Sequence, residues 1–281
     1  MNENMKDSFV VPPIGAHPKV RSYDYHNWFA CSSSIMRELN RSPAHAWYTL
    51  NNERKETDAM LLGTATHLAI LEPELFAQKF GCAPEGLDKR TKEGKQVWAD
   101  LCEQYGPNLL KYDQYQQVGA MAESVLKKKK ASLLLQKLSD IEFSGVWTDK
   151  VSGALCKMRL DGLIREHGII VDVKTTNDAS EDEFLKTLFN YGYDRQSAFY
   201  MRGCRALDIE IKTFVFIVIE KEPPYESAVY ELGAQSLMIA DAQISRLLPE
   251  WQKCVTSKVW PGYGDEIKVI DLAAWMSRKR E

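Results

Sequence analysis

Two acidic residues and a lysine lie close together in LCKMRLDGLIREHGIIVDVKTT, residues 155–176. Alternate side chains of a β-strand share a face, so Arg159 and Asp161 lie together in the first predicted strand, and Asp172 and Lys174 in the second. Two neighbouring carboxylates repel each other unless a cation lies between them. Mg²⁺ prefers oxygen ligands and keeps several waters, so the pattern predicts a Mg²⁺ site that can also bind a phosphate.

The turn between these strands decides how near the two acids lie. A two-residue turn at Glu166 and His167 would place Asp161 directly opposite Asp172, with Cβ atoms about 4.5–5.5 Å apart. A four-residue loop would also keep both acids on one face. A three-residue loop with Gly168 in the left-handed conformation would not, because a one-residue slip reverses the faces of a strand. The sequence leaves these alternatives open.

A surface salt bridge in an acidic hairpin is the alternative interpretation of this segment. Asp172 argues against it, because it lies within the apolar run IIVDV, residues 169–173. A buried carboxylate without a partner is costly, so its presence there indicates a function.

Two further pairs have helical spacing. Gly63 and His67 are one helical turn apart, and His67 is a candidate metal ligand, although a single helical histidine is more often structural. Gln196 and Tyr200 are spaced in the same way, with Arg195 nearby, and they could contact phosphate or support the site. The lysine run 127–130 is typical of a solvated helix face, and DNA-backbone contact is the alternative.

The elements that must position these residues change in character along the chain. Residues 1–30 are expected to be an irregular arm, and residues 31–281 one domain with a helical part to about 139, a sheet core at 140–232 and a C-terminal helix at 233–256. Expected helices begin near Ile35 and cover 44–50, 60–71, 112–138, 181–190, 193–207 and 233–253; expected strands cover 141–148, 154–164, 169–175, 211–220 and 225–232. Residues 81–95 are expected to form a mobile loop. The order predicts an α/β or α+β fold.

Composition excludes several classes of protein. The chain has 281 residues and a net charge of −3, so it lacks the strong basicity of many nucleic-acid-binding proteins. Its six cysteines form no CxxC pair, which argues against zinc, an iron–sulfur cluster or a disulfide framework. No apolar run is long enough for a membrane span, and no secretory signal is recognised, so we expect a cytoplasmic protein without membrane contact.

Together, the motifs resemble those of the RecB-like nucleases of the PD-(D/E)XK superfamily. That group has GxxxH on a helix, then Asp, then DxK on adjacent strands, then QxxxY on a helix. Here the order is Gly63–His67, Asp161, Asp172–Lys174 and Gln196–Tyr200. The segments SSSIMRELNRSPAHAWY, LLGTATHLAILEPELF, RLDGLI and VDVKTT further resemble RecE-type exodeoxyribonucleases (exonuclease VIII) of phages and prophages.

The resemblance implies a PD-(D/E)XK core, a central mixed sheet flanked by helices, with a helical N-terminal part. It also implies 5′-to-3′ digestion of linear double-stranded DNA, with release of 5′-mononucleotides and a 3′ single strand left for recombination. Mg²⁺, with Mn²⁺ as a substitute, a ring-shaped homo-oligomer (a tetramer) and a single-strand annealing partner are implied as well.

On this basis the hypothesis assigns roles to individual residues. Asp161 and Asp172 hold one or two Mg²⁺ ions, with His67 and the Val173 carbonyl as additional ligands. Lys174 orients or helps to deprotonate the attacking water. Arg159, Gln196 and Tyr200 contact phosphate or support the site, and Glu142 is a possible further acid. A non-cutting DNA-end-binding module and a structure-selective endonuclease are the alternative functions.

Overall fold

A computed structural model describes residues 9–52 and 57–270 of the chain. Its strands are β1 (Gly15–His17), β2 (Gly81–Cys82), β3 (Leu109–Leu110), β4 (Asp140–Thr148), β5 (Leu155–Ile164), β6 (Ile169–Thr176), β7 (Thr213–Glu220) and β8 (Ser227–Glu231). Six of them form one sheet in the order β1-β4-β5-β6-β7-β8, while β2 and β3 pair separately. Within the large sheet, β6 and β7 are parallel and all other neighbours are antiparallel.

The described helices begin at favourable capping residues in several places. They are α1 (Ser22–Asn27), α2 (Ser33–Leu39), α3 (Pro43–Asn51), α4 (Asp58–Leu71), α5 (Pro73–Lys79), α6 (Lys92–Tyr105), α7 (Tyr112–Lys127), α8 (Lys129–Gln136), α9 (Glu181–Tyr191), α10 (Tyr193–Ala206) and α11 (Ala234–Ser257). The Ser32 hydroxyl accepts the Ile35 amide and caps α2, as its position in the sequence predicts. No described helix is long and apolar enough to cross a membrane.

The sheet has an apolar core on each face. On β7, Phe214 and Phe216 belong to one core, which includes residues of α2, α10 and α11, while Ile217 and Ile219 belong to the other, with residues of α4, α5 and α7. Burial on both faces explains why this strand is a continuous apolar run rather than an alternating one. The expected α/β fold, a mixed sheet between helical layers, is confirmed.

The N-terminal segment is more ordered than the sequence predicts. It contains β1 and α1, and buried cations of β5 bind it to the sheet. The Lys157 ammonium donates to the carbonyls of Tyr25 and Trp28 at 2.8 and 2.7 Å, and Arg159 Nη2 donates to the Val20 carbonyl at 2.9 Å. These contacts join residues more than a hundred positions apart, so local sequence patterns do not reveal them.

Two further expectations differ from the structure. Residues 81–95, expected to be a mobile loop, contain β2 and the first turn of α6. The long helix expected over 112–138 is divided into α7 and α8 at Lys128, whose ψ of 105° is extended. All four residues of the lysine run at this break are exposed, and Lys127 pairs with Glu123 at 2.7 Å.

The loop between β5 and β6 has four residues, 165–168. Gly162 pairs with Val171, and Ile164 with Ile169. This is the register in which Asp161 lies opposite Asp172, and Gly168 has the left-handed φ of 66°. Of the alternatives left open by the sequence, the four-residue loop is the one that the structure contains.

Candidate active site

Three acids lie at the same level of three neighbouring strands. The register of β4 with β5 places Glu142 opposite Asp161, because the residues on either side of Glu142 pair across from those beside Asp161. The register of β5 with β6 then places Asp161 opposite Asp172. The fold therefore concentrates negative charge in one row across the sheet.

Strands β5 and β6 separate at this row. Their backbone pairing ends at Gly162 and Val171. Beyond this point a side chain replaces the backbone partner, because Asp161 Oδ2 accepts the Val173 amide at 2.9 Å. The separation leaves the Val173 carbonyl without a β5 partner. The Val173 amide of β6 thus holds the Asp161 carboxylate of β5, so the position of this carboxylate depends on both strands.

His67 approaches the same point from α4. Its Nε2 lies 2.5 Å from the Val173 carbonyl oxygen and 3.4 Å from Asp161 Oδ2. Gly63, one helical turn before His67, lies beside β6, where a Cβ would make an ordinary contact, 3.9 Å from Thr175 Oγ1. The three candidate ligand groups on α4, β5 and β6 therefore converge.

Glu142 joins His67 and Asp161 in a potential metal-binding group, in which one ligand atom of each residue lies within 4.8 Å of the others. Its φ of 53° is unusual for a residue other than glycine. Burial, together with the neighbouring Asp161 carboxylate, raises the pKa of Glu142 to about 7, against the opposing effect of Arg159. This arrangement favours a cation near the carboxylates.

Asp172 is fully buried beside Lys174, whose Nζ lies 2.5 Å from Asp172 Oδ2. Among the described residues, no donor makes a well-aligned hydrogen bond to either carboxylate oxygen. Burial raises the pKa of Asp172 to about 6 despite this ion pair. Burial alone would lower the pKa of Lys174, but Asp172 and Asp161 outweigh it and raise that pKa above its usual value.

Gln196 and Tyr200 lie side by side on α10, as their spacing predicts. Gln196 Nε2 donates to the Tyr200 hydroxyl at 3.0 Å, and Ser33 Oγ of α2 lies 3.4 Å from the same hydroxyl. Tyr200 is buried, which raises the pKa of its phenol. On the same helix, the Tyr193 ring lies 4.7 Å from Lys174 Nζ, so this face of α10 borders the site.

Arg159 faces the N-terminal segment as well as the acids. Its guanidinium donates to Ser144 Oγ at 3.0 Å and to the Val20 carbonyl, and it lies 3.7 Å from Glu142 Oε2. The structure thus places Arg159 beside Glu142, with Nε and Nη2 each donating to a protein group.

Sequence patterns do not identify Tyr193 and Ser33 as residues of the site, and they indicate Glu142 only as a possible further acid. Glu142 is preceded by no recognisable motif, and its side-chain direction depends on a positive φ that alternation does not predict. Tyr193 lies three residues before Gln196, so helical spacing could have indicated it. Ser33 follows the α2 cap, and only the packing of α2 against α10 brings it near Tyr200.

The donor set fits a divalent cation. Two carboxylates, a histidine and a backbone carbonyl meet at one point, and the buried Asp172 carboxylate beside them lacks an aligned donor. Oxygen-rich sites of this kind suit Mg²⁺ or Mn²⁺, and an imidazole is more typical of transition metals. Without a cation between them, the neighbouring carboxylates would repel each other.

Comparisons with known proteins agree with this geometry. A family model described as "PDDEXK-like domain of unknown function (DUF3799)" matches residues 32–273. A search of curated proteins gave no match. The matched region contains every candidate site residue, from Ser33 to Tyr200.

Two solved structures are similar to the chain. A presumed exonuclease from Eubacterium rectale has a TM-score of 0.53 at 16% identity, with 93% of this chain and 99% of that chain covered. A phage-related exonuclease from Haemophilus somnus has a TM-score of 0.34 at 12% identity, with 82% of this chain and 97% of that chain covered. The first similarity, at low identity, shows a shared fold.

Proposed function

The chain belongs to the family of PDDEXK-like domains DUF3799, and from that premise we propose that it is a divalent-metal-dependent deoxyribonuclease. One observation carries the proposal: His67, Glu142 and Asp161 converge beside the buried Asp172–Lys174 pair. Such a set of acids with a lysine suits phosphodiester hydrolysis, in which negative charge develops on the phosphate.

More specifically, the proposed reaction is 5′-to-3′ digestion of linear double-stranded DNA to 5′-mononucleotides. The remaining 3′ strand would serve recombination by annealing, with a single-strand annealing protein as partner and a homo-oligomeric ring as the assembly. These finer features rest on the resemblance of the motifs to RecE-type exodeoxyribonucleases. Mg²⁺ is the proposed cofactor, and Mn²⁺ is expected to replace it.

The protein's own residues have distinct tasks in this proposal. His67, Glu142 and Asp161, with the Val173 carbonyl and Asp172, would hold the cation. When bound, the cation supplies Lewis acidity, which makes a water more acidic and stabilises negative charge on the phosphate. The raised pKa of Lys174 keeps its ammonium protonated, so Lys174 donates hydrogen bonds that orient the water or a phosphate oxygen. Gln196 and Tyr200 support this side of the site.

The proposal is tested by digestion of 5′-labelled linear duplex in Mg²⁺ and in EDTA. We expect labelled mononucleotide only with Mg²⁺, and a loss of at least about a hundredfold in rate for Asp172→Asn, which removes a charged ligand but keeps the side-chain volume. Asp140→Asn is the matched control, because Asp140 is also an acid of the sheet but pairs with Arg165 at 2.7 Å, away from the candidate ligands.

Other outcomes would contradict specific parts of the proposal. Cleavage of covalently closed circular DNA would indicate an endonuclease rather than an exonuclease. DNA-end binding without cleavage in any divalent cation would indicate the non-cutting module. Equal rates for Asp172→Asn and Asp140→Asn would show that the reaction takes place elsewhere.

A further inference from the structure

A cleft of about 530 Å³ lies outside the candidate active site, between α9, α10 and α11. Its lining combines two arginines, Arg195 and Arg246, with the aromatic ring of Phe189 and the amides of Asn40 and Gln243. None of the lining residues is acidic. The cleft is thus locally cationic in a chain whose net charge is −3.

The two arginines are held in place by neutral groups. Arg195 Nη1 donates to Gln243 Oε1 at 3.0 Å, and Arg246 Nη2 donates to Asn40 Oδ1 at 3.3 Å. Within residues 9–52 and 57–270, neither forms an ion pair with a carboxylate, whereas Arg202 of the same helix α10 pairs with an aspartate. Their charge is therefore available to an anionic ligand, and a phosphate suits the planar guanidinium.

Two stacked aromatic rings extend from the active site to the end of α9. The Tyr193 ring lies 4.7 Å from Lys174 Nζ, and the Tyr191 ring stacks on it at 5.7 Å between centroids and 17° between planes. Gly192 makes this stack possible, because its φ of 68° ends α9 and begins α10 within one residue.

The last turn of α9 presents its rings to solvent. Tyr191 is 54% exposed and Phe189, which lines the cleft, is 69% exposed. Exposed rings beside unpaired cations are the combination by which proteins bind single-stranded nucleic acid, with bases stacked on the rings and phosphates on the cations.

We propose that the surface of Tyr191, Phe189, Arg195 and Arg246 binds single-stranded DNA next to the scissile phosphate. This inference rests on the proposed nuclease function and extends it by a path for the strand outside the metal site. The bases stack on Tyr191 and Phe189, and the phosphodiesters contact the arginines. A second protein copy would be a poorer occupant, because the arginines would require buried carboxylates opposite them.

The experiment measures binding of a short fluorescent oligothymidylate by anisotropy in EDTA, where no metal-dependent cleavage takes place. We expect Phe189→Ala and Tyr191→Ala each to weaken binding by about fivefold or more, because each removes a stacking platform. Arg195→Ala and Arg246→Ala should each reduce the slope of log affinity against log salt by about 0.7, the value for one phosphate contact to a single strand.

Two control variants match these changes elsewhere on the surface. Arg205→Ala removes an exposed arginine from α10, and Tyr48→Ala removes an aromatic ring that is 67% exposed. Both should bind the oligonucleotide as the unsubstituted protein does. Because Phe189 and Tyr191 are exposed, their replacement should leave the thermal midpoint unchanged, which separates lost binding from lost folding.

Several results would overturn the inference. Unchanged affinity and salt slope in all four variants, while duplex cleavage remains intact, would contradict the path and leave the nuclease proposal standing. Changed oligomeric state with unchanged oligonucleotide binding would assign the cleft to a protein interface instead. Conversely, oligonucleotide binding that depends on these residues in a protein that cuts no DNA would support the path and contradict the nuclease proposal.

Discussion

Glu142 combines a functional position with an unfavourable backbone conformation. It lies opposite Asp161 within β4, and its φ of 53° interrupts strand pairing only at that residue. Left-handed backbone costs a residue with a Cβ roughly 1–2 kcal/mol. Strain of this kind persists at sites where the surrounding structure needs the side chain in one place.

The strain predicts a difference between two variants that both remove the carboxylate. Glu142→Gly should be more stable to urea than Glu142→Ala by about 1 kcal/mol, because glycine adopts a positive φ without the steric cost. Both variants should lose metal affinity to a similar degree. A Glu142→Ala protein that is equal to or more stable than Glu142→Gly would contradict this account.

At this scale, the sequence predicts the residues whose direction follows from regular structure. Asp161, Asp172 and Lys174 lie on strands, and His67, Gln196 and Tyr200 on helices, so alternation and helical spacing are sufficient to bring each set to one face. Glu142 departs from alternation at its own backbone, and no periodic pattern can indicate that.

Helices α4 and α10 each contain a glycine facing the sheet, but the two positions differ in the space around them. A Cβ on Gly63 of α4 would make an ordinary contact, 3.9 Å from Thr175 Oγ1. A Cβ on Gly203 of α10 would lie 2.6 Å from Met158 Sδ and 2.7 Å from Trp147 Cζ3, which are buried. Of these two helices, α10 is therefore the one that packs closely on the sheet at its glycine, Gly203.

These contacts predict opposite effects of the same substitution. Gly63→Ala should raise the free energy of unfolding by about 0.5–1 kcal/mol, because alanine favours helix and meets no obstacle. Gly203→Ala should lower it by about 1–3 kcal/mol, because the added methyl overfills a packed interior. Urea unfolding of the two variants compares them directly, and a destabilised Gly63→Ala protein would show that α4 packs more tightly than described.

Among the elements, predictability follows the range of the interactions that form them. The β7 strand and the α9–α10 pair are predicted because the apolar residues of each element indicate by themselves which faces are buried. The strand β1 and helix α1 are not, since β1 depends on pairing with β4, and the segment around α1 on Lys157 and Arg159 of β5. The break at Lys128 is similarly absent from the local pattern, because lysines favour continuation of a helix.

At the scale of the whole molecule, the candidate site brings acidic residues close together, and their mutual repulsion opposes folding. Mg²⁺ at about a hundredfold excess over its Kd should raise the free energy of unfolding by about 2.7 kcal/mol. For a chain of this size, that corresponds to roughly a 5 °C rise in thermal midpoint. The pKa of Glu142 is raised to about 7, so at about pH 6 protons compete for the site and the rise should be smaller than at about pH 8.

The sign of the pH effect reverses without metal. Because the folded-state pKa values of Glu142 and Asp172 are raised, the folded protein holds more protons than the unfolded chain. In EDTA, the contribution of these groups therefore favours folding as the pH falls through about 7 and 6.

Asp161→Asn is the control for the metal-induced rise in stability, since its amide oxygen can still accept the Val173 amide. A metal-induced rise in that variant as large as in the unsubstituted protein would exclude Asp161 as a ligand.

The distribution of charge is a property that composition hides. The net charge of −3 gives no indication of DNA, yet two arginines and an exposed aromatic ring share one cleft because α9, α10 and α11 meet there. Their sequence separation, from Phe189 to Arg246, exceeds the range of any local pattern. Only the packing of the helices makes a surface from them.

The position of β1 has a consequence for solubility. By pairing antiparallel with β4, it takes the outermost place in the sheet and occupies backbone groups of Ser144–Val146. An open edge of a largely apolar strand is a template for aggregation, and short strands that cover it are a common protection. The three residues of β1 therefore protect part of the edge of the strand that carries Glu142, and the segment that follows β1 is held by Lys157 and Arg159 of β5.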